Sequence, residues 1–129
     1  MIPFECFPLE EGIPIYLQII RHVKRGIAGG TIQDGDELPS RRVLSALLGV
    51  NPNTVQKAYR LLEEEGVITS HAGAKSAVSL DAGAAGRIRA QLLEQEGLHT
   101  VRSLRQMGVG REEALALIGR LWEEKEADE

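Results

Sequence analysis

The chain has 129 residues, 43% of them hydrophobic and 4% aromatic, which suits one compact domain plus an appendage around a core of Leu, Ile, Val and Ala. One cysteine, Cys6, excludes an intramolecular disulfide, and with no 18-residue apolar run and no signal-peptide pattern the sequence reads as soluble, cytoplasmic and free of the membrane. The formal net charge of −4 would oppose a nucleic-acid partner if it were evenly spread, but residues 81–129 carry 7 Lys and Arg against 10 Asp and Glu, whereas residues 38–62 hold Arg41, Arg42, Lys57 and Arg60 and no acid.

Residues 1–12 contain Pro3, Pro8 and Gly12 and read as an extended arm. Pro14 then opens a helix with Tyr16, Ile20, Val23 and Ile27 at helical spacing, stopped by Gly29-Gly30. Residues 31–38, with the turn Asp34-Gly35-Asp36, form a loop leading into a very short strand. Ser40-Arg41-Arg42 starts a second amphipathic helix with Leu44, Leu47 and Leu48, and Gly49 sits where a left-handed C-terminal cap belongs. A third helix follows at once. Asn51 can cap its free N–H groups, Pro52 fits its first position, and Val55, Ala58, Tyr59 and Leu62 form one buried stripe that runs until Gly66. Val67-Ile68-Thr69-Ser70 and Ala77-Val78-Ser79-Leu80 read as two short strands joined by the small-residue loop His71-Ala72-Gly73-Ala74-Lys75.

Two short helices joined by a tight turn, with a helix before them and a hairpin after, give a winged helix-turn-helix, a mainly α fold with a small β-hairpin. The remaining faces of the third helix carry Asn53, Thr54, Gln56, Lys57 and Arg60. Asn and Gln present a donor and an acceptor side by side and can bind the adenine edge bidentately, whereas Lys favours guanine or phosphate, so Asn53, Gln56 and Lys57 could read bases. Ser40 and the N–H groups it caps suit a phosphate, and Arg41 or Arg42 would reinforce that contact. Local positive surface, within a screening length of roughly 10 Å, matters here more than net charge. Asn51 has a structural role as a cap whether or not it also touches DNA, and Thr54 could simply bond its own turn.

Residues 81–129 read as a two-helix appendage. Asp81 is expected to cap a long helix through Met107, with Ile88, Leu92, Leu93, Val101 and Leu104 as apolar positions and a kink at Gly97 left open; Gly108 would end it. A final helix from Arg111 places Ala114, Leu117, Ile118, Leu121 and Trp122 on one stripe. A stripe that wide asks for a second copy, which gives a homodimer interface built from Leu92, Val101, Leu104, Leu117, Ile118, Leu121 and Trp122. The organisation is therefore residues 1–80 for the arm and winged helix-turn-helix and residues 81–129 for dimerisation.

Four blocks carry a family resemblance: Pro14-Ile15-Tyr16-Leu17-Gln18-Ile19, Gly35-Asp36-Glu37-Leu38-Pro39-Ser40, Leu48-Gly49-Val50-Asn51-Pro52-Asn53-Thr54-Val55 and Leu61-Leu62-Glu63-Glu64-Glu65-Gly66-Val67-Ile68. In that order and spacing, over residues 13–80, the chain resembles the GntR family of bacterial transcription regulators, and its Asn-Pro-Asn-Thr-Val form and short tail resemble the YtrA-like subfamily. The resemblance implies that Arg42, Asn51, Asn53, Thr54, Gln56, Lys57 and Gly73 face DNA, with Lys75 beside Gly73 in the wing. The family wing usually reads Gly-x-Gly-Thr-Phe-Val, and here Gly73-Ala74-Lys75-Ser76-Ala77-Val78 lacks the second glycine and the aromatic.

Other chemistries find little support. Gly73-Ala74-Lys75-Ser76 resembles the end of a phosphate-binding loop, but Ala74 and Thr69 stand where that motif needs glycine. His22, His71 and His99 form no metal-ligand pair, Cys6 has no neighbouring His, and no acid, base and nucleophile converge. The expectation is a homodimeric regulator, a repressor without catalysis, metal or cofactor, binding a double-stranded, pseudo-palindromic operator. The tail is too short for a separate ligand-binding domain, so any small-molecule effector would sit between the chains. The alternative is a winged-helix protein-interaction module, against which the acid-free cationic helix start speaks.

Overall fold

The computed structural model describes residues 1–4, 7, 9–70 and 75–128. Five helices and one two-stranded sheet follow in the order α1 (Ile15–Gly29), α2 (Arg41–Leu48), α3 (Pro52–Glu64), β1 (Ile68–Thr69), β2 (Ala77–Val78), α4 (Ala84–Gln106) and α5 (Arg111–Asp128). The chain divides into two compact units, residues 1–92 and residues 93–129.

Local chemistry sets the ends of the first three helices. Gly30 closes α1 at φ +82°, with its N–H bonded to the carbonyls of Gly26 and Ile27. Ser40 caps α2 by accepting from the Val43 N–H at 3.1 Å, and Gly49 ends it at φ +67°. Asn51 caps α3 by accepting from the Asn53 N–H at 2.8 Å, with Pro52 in the first turn. The turn between α2 and α3 is tied from both sides, because the Ser45 hydroxyl donates to the Val50 carbonyl at 2.6 Å and the Val50 N–H donates to the Ser45 carbonyl at 3.1 Å.

The core of the first unit forms where α1 and α3 cross and where α2 closes on α3. Ile19, Val23 and Ile27 of α1 meet Val55, Ala58, Tyr59 and Leu62 of α3, with Leu44 from α2 and Leu38 before it. Leu47 departs from expectation: α2 turns only a narrow face inward, so Leu44 is buried while Leu47 is 49% exposed. The hairpin pairs antiparallel, Ile68 opposite Val78 and Thr69 opposite Ala77, and Glu37 adds a single isolated antiparallel bridge to Ala77. Each strand keeps two residues where the sequence suggests four, and Ile68 and Val78 supply the buried side of the pair.

The N-terminal arm does more than extend. Ile2 and Phe4 are buried, the Ile2 N–H donates to the Glu37 carbonyl at 2.8 Å, and the Phe4 ring packs against the His22 ring at a tilt, with centres 4.4 Å apart. His22 Nε2 lies 2.9 Å from the Pro3 carbonyl, which can only accept, so that nitrogen carries the proton. Gln18 secures the next stretch, accepting from the Glu10 N–H and donating to the carbonyls of Glu10 and Ile13.

Helix α4 starts later than the sequence suggests, because Gly83 adopts φ +86° and interrupts helical geometry after Asp81. The Asp81 carboxylate is not a cap; it takes a charge-assisted bond from Arg87 at 2.8 Å. From Ala84 the helix runs through Gly97 without a break, and Gly108 at φ +78° ends it, with the Val109 N–H reaching back to the Leu104 carbonyl.

In the second unit, the end of α4 and all of α5 bury almost nothing. Val101, Ile118, Leu121 and Trp122 are exposed, and Leu104 and Leu117 are half-buried. None of the described residues of α5 is buried.

Candidate nucleic-acid interface

The start of α3 and the start of α2 each carry polar side chains, and Arg41 of α2 lies over Tyr59 of α3. Because Val55, Ala58, Tyr59 and Leu62 take the inward stripe of α3, the helical period leaves Asn53, Gln56, Lys57 and Arg60 exposed and Thr54 half-buried. Asn51 is exposed, with its side-chain oxygen spent on the Asn53 N–H. On α2, Ser40 and Arg41 are half-buried and Arg42 is exposed. Among the described residues no carboxylate pairs with Arg41, Arg42 or Lys57.

Two tyrosines organise these cations. The Arg41 guanidinium lies 5.3 Å from the centre of the Tyr59 ring, and the Tyr59 hydroxyl donates to the Pro39 carbonyl at 2.6 Å, so the middle of α3 is joined to the entry of α2. Burial holds the Tyr59 phenol well above its ordinary pKa, an effect that the positive charge of Arg41 partly opposes. Arg41 Nε is buried with no hydrogen-bond partner, which leaves the outer nitrogens of the guanidinium as its donors toward solvent or an anion. The Lys57 ammonium sits 4.0 Å from the centre of the Tyr16 ring of α1. Sequence reasoning missed the roles of Tyr16 and Tyr59 at this surface; the only signal was an aromatic at the entry of α1 and another inside the stripe of α3.

Arg60 has an exposed neighbour in Glu64 at 3.9 Å, a pair of little energetic weight. Lys75 stands just before β2, 3.9 Å from the Glu37 carboxylate and exposed. Gly73, the expected wing tip, lies outside the described residues, as does His71.

Residues 15–78 match the sequence profile described as bacterial regulatory proteins, gntR family. The chain is 34% identical to YtrA from Sulfolobus acidocaldarius, a GntR-family transcription factor whose structure superposes with a TM-score of 0.54 over 75% of this chain and 99% of that one. This chain belongs to the GntR family. A GntR family transcriptional regulator from Listeria monocytogenes, 28% identical, superposes with a TM-score of 0.76 over 87% of this chain and 98% of its own. The HTH-type transcriptional repressor YtrA of Bacillus subtilis is 45% identical over 69 residues, 54% of this chain and 53% of that protein, so the match spans about half of the repressor's length. These relatives are named as transcription regulators, not as enzymes.

Membership in the GntR family gives the wing residues a frame. Ser76, where the resemblance puts threonine, is buried and shares a hydrogen bond with the Ser70 hydroxyl at 2.8 Å, which ties the residue after β1 to the residue before β2. Lys75 takes the place of the family's second glycine and Ala77 that of its aromatic. Among the described residues, no helix is long and apolar enough to cross a membrane.

Proposed function

We propose that this chain is a homodimeric, cytoplasmic repressor that binds a pseudo-palindromic, double-stranded operator. One observation carries the reading: α3 exposes Asn53, Gln56 and Lys57, and α2, whose Arg41 lies over Tyr59 of α3, adds Arg41 and Arg42, with no acid among residues 38–62. Asn53 and Gln56 read base edges, Lys57 reads guanine or phosphate, and Ser40, Arg41 and Arg42 hold the backbone at the start of α2. Asn51 and Thr54 meet the backbone where α3 enters the groove, and Gly73 and Lys75 follow it with the wing. Residues 1–80 do this work, and residues 81–129 join two chains.

Support for the dimer comes from α5, an 18-residue helix with no buried side chain among its described residues. Most helical stability in proteins comes from packing against a neighbour, so a helix that buries nothing is expected to have a partner face. Leu92, Val101, Leu104, Leu117, Ile118, Leu121 and Trp122 make that face with a second copy. Any effector pocket then belongs between the chains. The sign of regulation rests on likeness to the Bacillus protein named as a repressor.

The test is selection of DNA from a random pool, followed by titration against the enriched site. Enriched sequences should contain inverted half-sites with centres about 34 Å apart. Affinity should fall by a factor of roughly 10³ or more between 50 and 200 mM salt if six or more phosphates are neutralised. A protein that enriches no sequence, or binds independently of salt, does not have this function.

A further inference from the structure

Lys57 is a base-reading candidate with a long side chain, and the structure places that side chain against a ring. Its ammonium is parked 4.0 Å from the centre of the Tyr16 ring, on a different helix and at the very start of the domain. Tyr16 is half-buried and packs against the main core, so its ring is a fixed platform. Its hydroxyl has no hydrogen-bond partner among the described residues.

The kind of partner matters. A carboxylate beside Lys57 would satisfy the charge and would have to be surrendered, with its own desolvation, before a guanine or phosphate could take its place. An aromatic face imposes no such exchange. A cation over a ring is attracted by the ring quadrupole on one side while its remaining N–H donors point away, so it can keep the ring and gain an acceptor at the same time. The other gain is order. A lysine stem carries more rotamer freedom than most side chains, and a stem already held in one place loses less of it on binding.

We propose that Tyr16 is a specificity-determining positioning residue: its ring fixes the Lys57 ammonium for reading the operator, so part of the recognition surface is set by α1, outside the helix-turn-helix itself. The inference rests on the proposed DNA-binding function and adds a residue to it. Asn53 precedes Lys57 by four positions and Arg60 follows it by three, so all three share one side of α3. Holding Lys57 toward α1 therefore fixes which edge of that side carries its charge.

The test has a readout with DNA and one without. In the free protein, the side-chain methylene protons of Lys57 next to its ammonium should show an upfield ring-current shift by NMR. The shift should persist in Tyr16→Phe and vanish in Tyr16→Leu. With the selected DNA site, Tyr16→Phe should bind as the wild type does, and Tyr16→Leu should bind about two- to ten-fold more weakly, the cost of ordering one rotamer-rich side chain on binding. In a Lys57→Ala background, Tyr16→Leu should cost nothing further, which separates positioning from any general loosening of α1. Thermal unfolding of each variant checks that the fold persists.

Three results overturn the proposal: no ring-current shift in the wild type, an equal loss for Tyr16→Phe and Tyr16→Leu, or an undiminished loss from Tyr16→Leu when Lys57 is absent. The second would mean that the hydroxyl touches the backbone. If the wild type enriches no DNA sequence while the ring-current shift is present, the DNA-binding reading fails, and the specificity role of Tyr16 fails with it.

Discussion

The two units of this chain solve the same problem in opposite ways. In residues 1–92, amphipathic helices close on one another, and Ile19, Val23, Leu44, Val55, Tyr59 and Leu62 are fully or almost fully shielded. In residues 93–129 the helices carry comparable apolar residues and leave them in solvent, with Trp122 at 67% exposure. The apolar periodicity of α1, α2 and α3 is strong and that of α4 and α5 is weak, so a helix can hold many apolar residues without gathering them into one inward face. Connectivity differs too: three short helices crossing each other can surround a core, whereas one continuous helix followed by another cannot.

The largest effect should come from charging the exposed face of α5. Ile118→Glu combined with Leu121→Glu should leave the first unit folded by circular dichroism and convert a dimer to a monomer by light scattering. Operator binding should then weaken by roughly 10²- to 10⁴-fold, the factor that linked sites gain from effective concentration. A doubly charged variant that remains a dimer would place the contact elsewhere.

The same comparison sharpens through stability. Leu44→Ala should lower the unfolding free energy by about 2–5 kcal/mol in urea titrations, since the side chain is wholly enclosed. Trp122→Ala, made in the monomeric background, should change it by no more than about 0.5 kcal/mol. Equal costs would mean that Trp122 is buried within its own chain in solution.

Within the first unit, reading and positioning should separate. Gln56→Ala or Asn53→Ala should cost roughly 1–3 kcal/mol of operator binding and leave random DNA almost unaffected. Arg42→Ala should weaken both alike and reduce the salt slope by about one. Competition titrations at several salt concentrations measure both quantities.

The effect that is absent at ordinary pH concerns Tyr59. Its folded-state pKa is raised, so the contribution of the neutral phenol is fully present below the unfolded value of about 10 and is lost as pH rises toward the folded one. Wild-type stability should therefore fall above about pH 10 by up to about 1.4 kcal/mol per pH unit relative to Tyr59→Phe, which has no proton to lose. Denaturant midpoints of the two proteins across that window give the difference directly.

Much of the fold was legible because its signals are local. Ser40, Gly49, Asn51, Pro52 and Gly108 each act within a few residues of themselves, and the structure uses them as helix caps or terminators. The arm was not legible in this way. Ile2 and Phe4 are buried by partners in α1 and at Glu37, which are distant in sequence, and Pro3 and Pro8 disguised the segment as a loose tail. The start of α4 was misjudged because Asp81 resembles a cap until the conformation of Gly83 is known. At the candidate site the exposed residues of α3 could be listed from the helical period, but the ring beneath Lys57 could not, since it arrives from another helix.

The division of labour along α3 also bears on how such a protein diversifies. Asn51 makes the cap, and Val55, Ala58, Tyr59 and Leu62 make the core, while Asn53, Gln56, Lys57 and Arg60 are exposed and excluded from both. Under the proposed function, exchanges at those four positions change what the protein binds while shifting the scaffold's folding free energy by only about 0.5 kcal/mol, so a duplicated gene can reach many binding preferences without passing through an unfolded intermediate. In this helix, mutational robustness and evolvability reside in alternating residues of the same thirteen-residue segment.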